Sequence, residues 1–369
     1  MKRVALPDFP WDSLTEHKQR AGAHPDGIVD LSVGTPVDPV PASIRAALAS
    51  VSELSGYPAT HGTPALREAA VDALRRRHGI SGLSPDAVLP TIGSKELVAW
   101  LPTLLGVGAG DVVAIPELAY PTYEVGGLLA GAEVRRVEGL TALGPERPAL
   151  IWLNSPSNPT GRVLGVEHLR KVVEWARERG TVVVSDECYL ALGWEREPVS
   201  ILHPDVHGGS VDGLLAVHSL SKSANLAGYR AGFVTGDPEL VSGLLEVRKH
   251  AGMIVPRPVQ EAMVAALTDD EALTTQRERY RARRAVLRPA LERAGFRIEH
   301  SEAGLYLWAT RDEDAWTTVD RLARLGILAA PGSFYGPAGA GHVRVALTAA
   351  DDRIATAAAR LGDGCSDGR

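Results

Sequence analysis

The segment HSLSKSANLAGYRAGF, residues 218–233, sets Lys222 between serines just after an apolar run and eight residues before Arg230. Ser219, Ser221 and Arg230 supply two hydroxyls and a planar, permanently charged fork of donors, the groups that bind a phosphate dianion. A loop lysine is ordinarily only a solvated charge. Beside a phosphate site it is placed to form a Schiff base with a phosphorylated aldehyde, which is the chemistry of pyridoxal 5′-phosphate. Candidates for such a role are few, because the 39 basic residues comprise 33 Arg and only six Lys.

That cofactor makes demands on the rest of the chain. Its ring nitrogen needs a buried carboxylate to stay protonated, and TVVVSDECY puts Asp186 just past a hydrophobic run. Tyr189, three residues on, and Asn158, in the loop NSPSNPTG, can both donate to the phenolic oxygen and so tune the imine. TIGSKELVAW offers Gly93, Ser94 and Lys95 at a helix start, where free backbone amides favour phosphate. A flat ring needs a stacking partner, and PELAYPTYE supplies Tyr120 and Tyr123. An amino-acid substrate adds an α-carboxylate. Arg344, within HVRVAL, is a cation on an otherwise apolar strand, costly there unless an anion meets it. Each residue has a plainer reading alone: an Asp after a strand often caps a turn, and an aromatic at a strand end is often core.

The elements that would hold these groups follow from periodicity. Between about Asp111 and Phe233, short β-branched runs alternate with helix-period segments, the pattern of a mostly parallel sheet covered by helices. Apolar residues 149–153, the loop 154–161, an amphipathic helix over 166–179 and the strand 181–185 form one βαβ crossover. In such sheets ligands sit beyond the carboxyl ends of the strands, where Asn158 and Asp186 fall. Helices are expected over Pro64–His78 and Ser94–Leu105, and strands over 111–115, 214–218 and 231–235. Beyond about residue 255 long helical stretches and two late strands mark a smaller α+β domain. The expected division is a large domain over 45–255, with 1–44 and 256–369 forming the small one.

Composition narrows the partners. With 45% hydrophobic and 23% charged residues in 369, the chain is long enough for a large buried core and two domains. A net charge of −6 with no block of like charges gives no nucleic-acid footprint. Cys188 and Cys365 are the only cysteines, which excludes a disulfide scaffold and fits a reducing cytoplasm. No run approaches the roughly 18 apolar residues of a membrane span, and MKRVALPDFP meets prolines too early for a signal peptide. The glycine run at 106–111 lacks dinucleotide-binding spacing and no histidine pair has zinc-protease spacing, so neither a nicotinamide enzyme nor a metal centre is expected.

NPTG, the D-x-x-Y pair, S-x-S-K with Arg230 eight residues later, and the late arginine occur in one order that resembles the fold-type I aminotransferases over essentially the whole chain. The resemblance implies an α/β, pyridoxal-phosphate-dependent transferase fold in which Lys222 carries the cofactor and shuttles the substrate proton. It implies that Asp186 meets the ring nitrogen, that Asn158 and Tyr189 hold the phenolic oxygen, and that Tyr120 stacks on the ring. Gly93, Ser94, Lys95 (through its amide), Ser219, Ser221 and Arg230 would form the phosphate cup. Tyr57 would reach the phosphate in the neighbouring subunit of a homodimer, and Gly34 would lie against the carboxylate held by Arg344. Amino acids and 2-oxo acids are the partners so implied. More narrowly, DLSVGTPVDPVP, GYPATHGTPALREAA, ELAYPTYEVG and SDECYLALGW resemble succinyldiaminopimelate aminotransferases of bacterial lysine biosynthesis. The arginine that makes the aspartate branch selective has no counterpart here. A lyase would use the same Lys222 and Asp186. A carboxylate clamp at Arg344 instead favours loss of the α-proton, and hence transamination.

Overall fold

The structure is a computed structural model and describes residues 5–363. Seven strands form the larger sheet in the order 88–92, 231–236, 214–219, 182–186, 150–154, 112–116, 133–137. Only Ala231–Gly236 runs antiparallel to its neighbours; the other pairings are parallel. Most of these strands are buried on both faces, which is why they read as continuous apolar runs rather than as alternating ones. Along Leu150–Asn154, for example, Leu150 and Trp152 enter one core while Ile151 and Leu153 enter the other.

Helices Gly93–Leu104, Thr122–Ala130 and Pro238–Ala251 cover the first face, and Pro64–His78, Val166–Arg177 and Arg257–Thr268 the second. Local chemistry sets their ends. The hydroxyl of Thr63 accepts from the amide of Leu66 at 3.2 Å ahead of Pro64 in the first turn, and Gly79 closes that helix at φ +66°. Helix Arg257–Thr268, assigned from sequence to the smaller unit, instead buries Ala262, Met263 and Ala266 in the large core beside Leu66 and Ala70. Its apolar stripe could suit either body, and packing against Ala42–Ala49 and Pro64–His78 decides.

A separate core is built on a four-stranded antiparallel sheet, order 330–331, 343–346, 306–310, 297–299, packed by helices Asp270–Arg293, Ala315–Arg324 and Asp351–Asp363. From the N-terminal segment, Val29 and Asp30 pair in parallel with Ile327 and Leu328 and Leu31 is buried there, whereas Val40 and Ile44, assigned from sequence to the same unit, pack in the large core. Deep in the large body, fully buried Arg248 is paired with Glu96 at 2.9 Å. Among the described residues no helix is long and apolar enough to cross a membrane, and no cluster of His, Cys, Asp and Glu could hold a metal. Cys365 lies outside the described residues.

Candidate active site

A cavity of about 690 Å³ opens at the carboxyl ends of the large sheet, and both cores contribute to its lining. It gathers Gly34, Ser94, Lys95, Tyr120, Asn158, Asp186, Tyr189, Ser219, Ser221, Lys222, Arg230 and Arg344, residues that the sequence scatters over three hundred positions. Gly93 adjoins it through Arg230. Tyr57 does not line it. That side chain stands 98% exposed elsewhere on this chain.

Asn154 and Asp186 are register partners at the ends of adjacent parallel strands. The Asn154 side chain donates to the Asp186 carbonyl at 2.9 Å and accepts from the Asn158 amide at 2.7 Å, fixing the following loop. Asp186 is buried, which pushes its carboxyl above the ordinary range. The hydroxyl of Tyr123 (2.8 Å) and the amide of Cys188 (3.2 Å) donate to its two oxygens. Tyr123 is itself stacked on Trp152, with centroids 4.8 Å apart. Tyr120 lines the cavity and meets Tyr123 edge-on, and burial pushes its hydroxyl up to about 12. Burial, then the adjacent Asp186 carboxylate, raises the Cys188 thiol well above its usual value, so it is no nucleophile.

Lys222 extends its amine into the cavity and donates to the Gly34 carbonyl at 2.6 Å. Burial lowers its pKa, favouring the neutral, nucleophilic amine. Tyr280 donates to the Lys222 carbonyl at 3.1 Å from the smaller core.

On the opposite wall, Gly93 opens its helix at φ +72°, and a Cβ there would lie 2.3 Å from Arg230 Nη2. Lys95 sits close enough to Arg230 that, after burial, the guanidinium is the second cause of its lowered pKa. Neither cation makes an ion pair among the described residues. Arg230 Nη1 donates to the Ala227 carbonyl at 2.9 Å; its remaining guanidinium hydrogens, the first amides of the helix, and the hydroxyls of Ser94, Ser219 and Ser221 make a donor set that fits a phosphate dianion.

Arg344 enters from the small sheet, fully buried. Its Nη1 donates to Asn158 Oδ1 at 2.9 Å, its Nη2 donates to the Ser32 carbonyl at 2.7 Å, and its buried Nε has no partner. Gly34, expected to lie against the substrate carboxylate, lines the same cavity as Arg344, and its carbonyl accepts from Lys222. With Oδ1 taken, Asn158 keeps its Nδ2 hydrogens for a ligand. The side chains of Asn154, Tyr123 as a support for Asp186, and Tyr306 escaped the sequence reading. Asn154 opens the singled-out loop, so its position was the available clue. Tyr306 was visible only as a strand residue.

This mostly parallel seven-stranded sheet flanked by helices, with a smaller antiparallel unit beside it and a lysine at the strand ends, is the fold-type I aminotransferase architecture. Residues 26–361 match the family of class I and II aminotransferases, and the chain belongs to that family: it is a transaminase that uses pyridoxal 5′-phosphate. It is 67% identical over 358 residues to a probable aminotransferase of Mycobacterium tuberculosis, covering 97% of this chain and 86% of that one. It is 62% identical over 356 residues to 4-dedimethylamino-4-oxo-anhydrotetracycline transaminase of Streptomyces rimosus, covering 96% and 99%. An aminotransferase structure from Neisseria meningitidis superposes with a TM-score of 0.88 at 31% identity, covering 99% and 98%. Neither relative bears the name of a succinyldiaminopimelate aminotransferase, the narrower resemblance drawn from the sequence.

Proposed function

We propose that the chain transfers the α-amino group of N-succinyl-L,L-2,6-diaminopimelate to 2-oxoglutarate, and in reverse that of glutamate to the corresponding keto acid. The observation that carries amino-acid transfer is the buried Arg344, which lines the same cavity as Lys222 and whose Nε has no partner. When bound, the cofactor supplies an aldehyde carbon and a protonated ring that takes up the electron pair left by a departing α-proton.

The chain's residues do the rest. Asp186, kept dry and fixed by Tyr123 and Cys188, holds the ring nitrogen. Asn158 and Tyr189 donate to the phenolic oxygen, and Tyr120 covers the ring. Ser94, Ser219, Ser221, Arg230 and the amides following Gly93 hold the phosphate. Arg344 would fix the substrate carboxylate so that the α-hydrogen is the group presented for removal, and Lys222 Nζ would take that proton and deliver it to the cofactor's aldehyde carbon. Tyr57 supports a homodimer: an almost fully exposed tyrosine has no role within its own chain, and a second subunit's phosphate would give it one.

The distal carboxylate of a diaminopimelate needs a cation. Lys18 is the cavity-lining cation left without another role, and it is only loosely paired with Asp30 at 3.9 Å. A second reading is favoured by the rim, where Phe9 and Trp11 present aromatic surface. The Streptomyces relative is named for a 4-oxo-anhydrotetracycline, and such a rim suits a fused-ring ketone.

Absorbance of the bound cofactor tests both. Bleaching by N-succinyl-L,L-diaminopimelate with recovery on 2-oxoglutarate supports the first reading. Bleaching by glutamate with recovery only on a fused-ring ketone supports the second.

A further inference from the structure

Tyr306 belongs to the strand Tyr306–Thr310, whose register with Val343–Ala346 sets Trp308 opposite Arg344 and Tyr306 one diagonal step away on the same face. Three contacts result. The Arg344 guanidinium carbon lies 3.9 Å from the Tyr306 ring centroid. The Tyr306 hydroxyl lies 3.1 Å from that of Tyr189. Close against the hydroxyl is the backbone of Gly34, where a Cβ would lie only 2.1 Å from the oxygen. The side chain is 4% exposed and lines the cavity.

We propose that Tyr306 is a positioning residue that commits Tyr189 to donate to the cofactor's phenolic oxygen while its ring holds the Arg344 guanidinium in place for the substrate carboxylate. The inference rests on the role given above to Tyr189. Each phenol has one proton. If Tyr189 gives its proton to the cofactor oxygen, the 3.1 Å contact survives only with Tyr306 as donor and Tyr189 as acceptor. The two hydroxyls then form a directed chain, and accepting one hydrogen bond strengthens the other that Tyr189 donates. The ring acts separately: a buried cation stacked on an aromatic face is stabilised in one plane. One side chain therefore links the substrate's anchor to the cofactor's oxygen.

The two halves come apart by substitution. Tyr306→Phe keeps the ring and removes the proton; Tyr306→Leu removes both. A weaker donor leaves the phenolic oxygen more basic. The pH midpoint at which the bound cofactor's absorbance changes should therefore rise in Tyr306→Phe by on the order of half a unit. Binding of succinate, a carboxylate that cannot react, should stay within about twofold in that variant and weaken about five- to tenfold in Tyr306→Leu. The thermal midpoint of the cofactor-free protein should match wild type in Tyr306→Phe. Tyr189→Phe is the control. If it leaves the absorbance midpoint in place, the role of Tyr189 is wrong. If it moves the midpoint and Tyr306→Phe does not, the relay through Tyr306 is overturned. Equal succinate affinity in the Phe and Leu variants would overturn the role of the ring.

Discussion

Arg344 and Asn158 are hydrogen-bonded to each other at 2.9 Å, although one belongs to the small antiparallel sheet and the other to the loop at the end of a large-sheet strand. The residue proposed to meet the substrate and one proposed to meet the cofactor are thus directly hydrogen-bonded. Arg344→Lys keeps the charge but cannot keep both Nη contacts. The expected result is a fall of about 10²–10³-fold in kcat/KM for glutamate, carried mainly by KM. The absorbance midpoint should also shift as Asn158 loses its fixed orientation. Steady-state kinetics beside a spectral pH titration would read the two together, and an unchanged KM would remove Arg344 from the carboxylate.

Lys222→Ala should lower amino transfer by about 10⁴-fold, because the other lysines lining the cavity, Lys18 and Lys95, are given other roles in the proposed mechanism. Rapid mixing with glutamate measures this directly. Near-normal conversion of the cofactor would mean that Lys222 does not move the proton.

Gly93→Ala tests the phosphate cup. The added methyl would sit 2.3 Å from Arg230 Nη2 on a backbone at φ +72°, so the guanidinium has to move. Cofactor affinity should fall about ten- to a hundredfold while the far-ultraviolet circular dichroism stays the same. Equilibrium dialysis of pyridoxal phosphate checks this, and unaltered affinity would place the phosphate elsewhere.

Behind the site, Glu187 and His218 face each other at 3.9 Å, each with one buried atom lacking a partner. Burial raises the Glu187 carboxyl from its ordinary 4.5 to about 7 and lowers His218 from 6.5 to about 3. From about pH 3 to 7 they are therefore a neutral pair rather than an ion pair. Between pH 4.5 and 7 the folded chain keeps a Glu187 proton that the unfolded chain releases, so this group's contribution to stability is lost as pH rises across that window. The sign for His218 is opposite: its contribution is lost as pH falls from 6.5 toward 3. Glu187→Gln keeps an acceptor for the Ile201 amide and should abolish the decline between pH 4.5 and 7, a difference on the order of 1–3 kcal/mol. Denaturant titrations across that range in both proteins give the slopes, and equal slopes would refute the assignment.

The residues that gather at the cavity were legible because each carries its reason locally. Lys222 stands beside hydroxyls and an arginine, Asp186 ends an apolar strand, and Arg344 is a cation where none should be. What was not legible depends on register and on distant packing. Tyr306 meets Arg344 only through the pairing of Tyr306–Thr310 with Val343–Ala346, which neither stretch encodes alone. Tyr123 could have been a stacking face or a hydrogen-bond donor, and the burial of Asp186 decides for the second. Helix Arg257–Thr268 carries an apolar stripe that suits either core. Phe9, Trp11, Leu14 and Lys18 also line the cavity, and no motif in the sequence points to them.

The pairing of Val29 and Asp30 with Ile327 and Leu328, reinforced where Arg360 donates to the Gly27 carbonyl at 2.9 Å, has a consequence in time. A ribosome emits residues 27–31 long before the partners that hold them. All seven strands of the large sheet, ending at Gly236, leave the exit tunnel earlier. The phosphate cup and Asp186 can therefore assemble while the chain is still growing. Arg344 and the seat of Gly34 arrive last, so on the proposed roles a nascent chain gains the means to hold its cofactor before it can select a substrate.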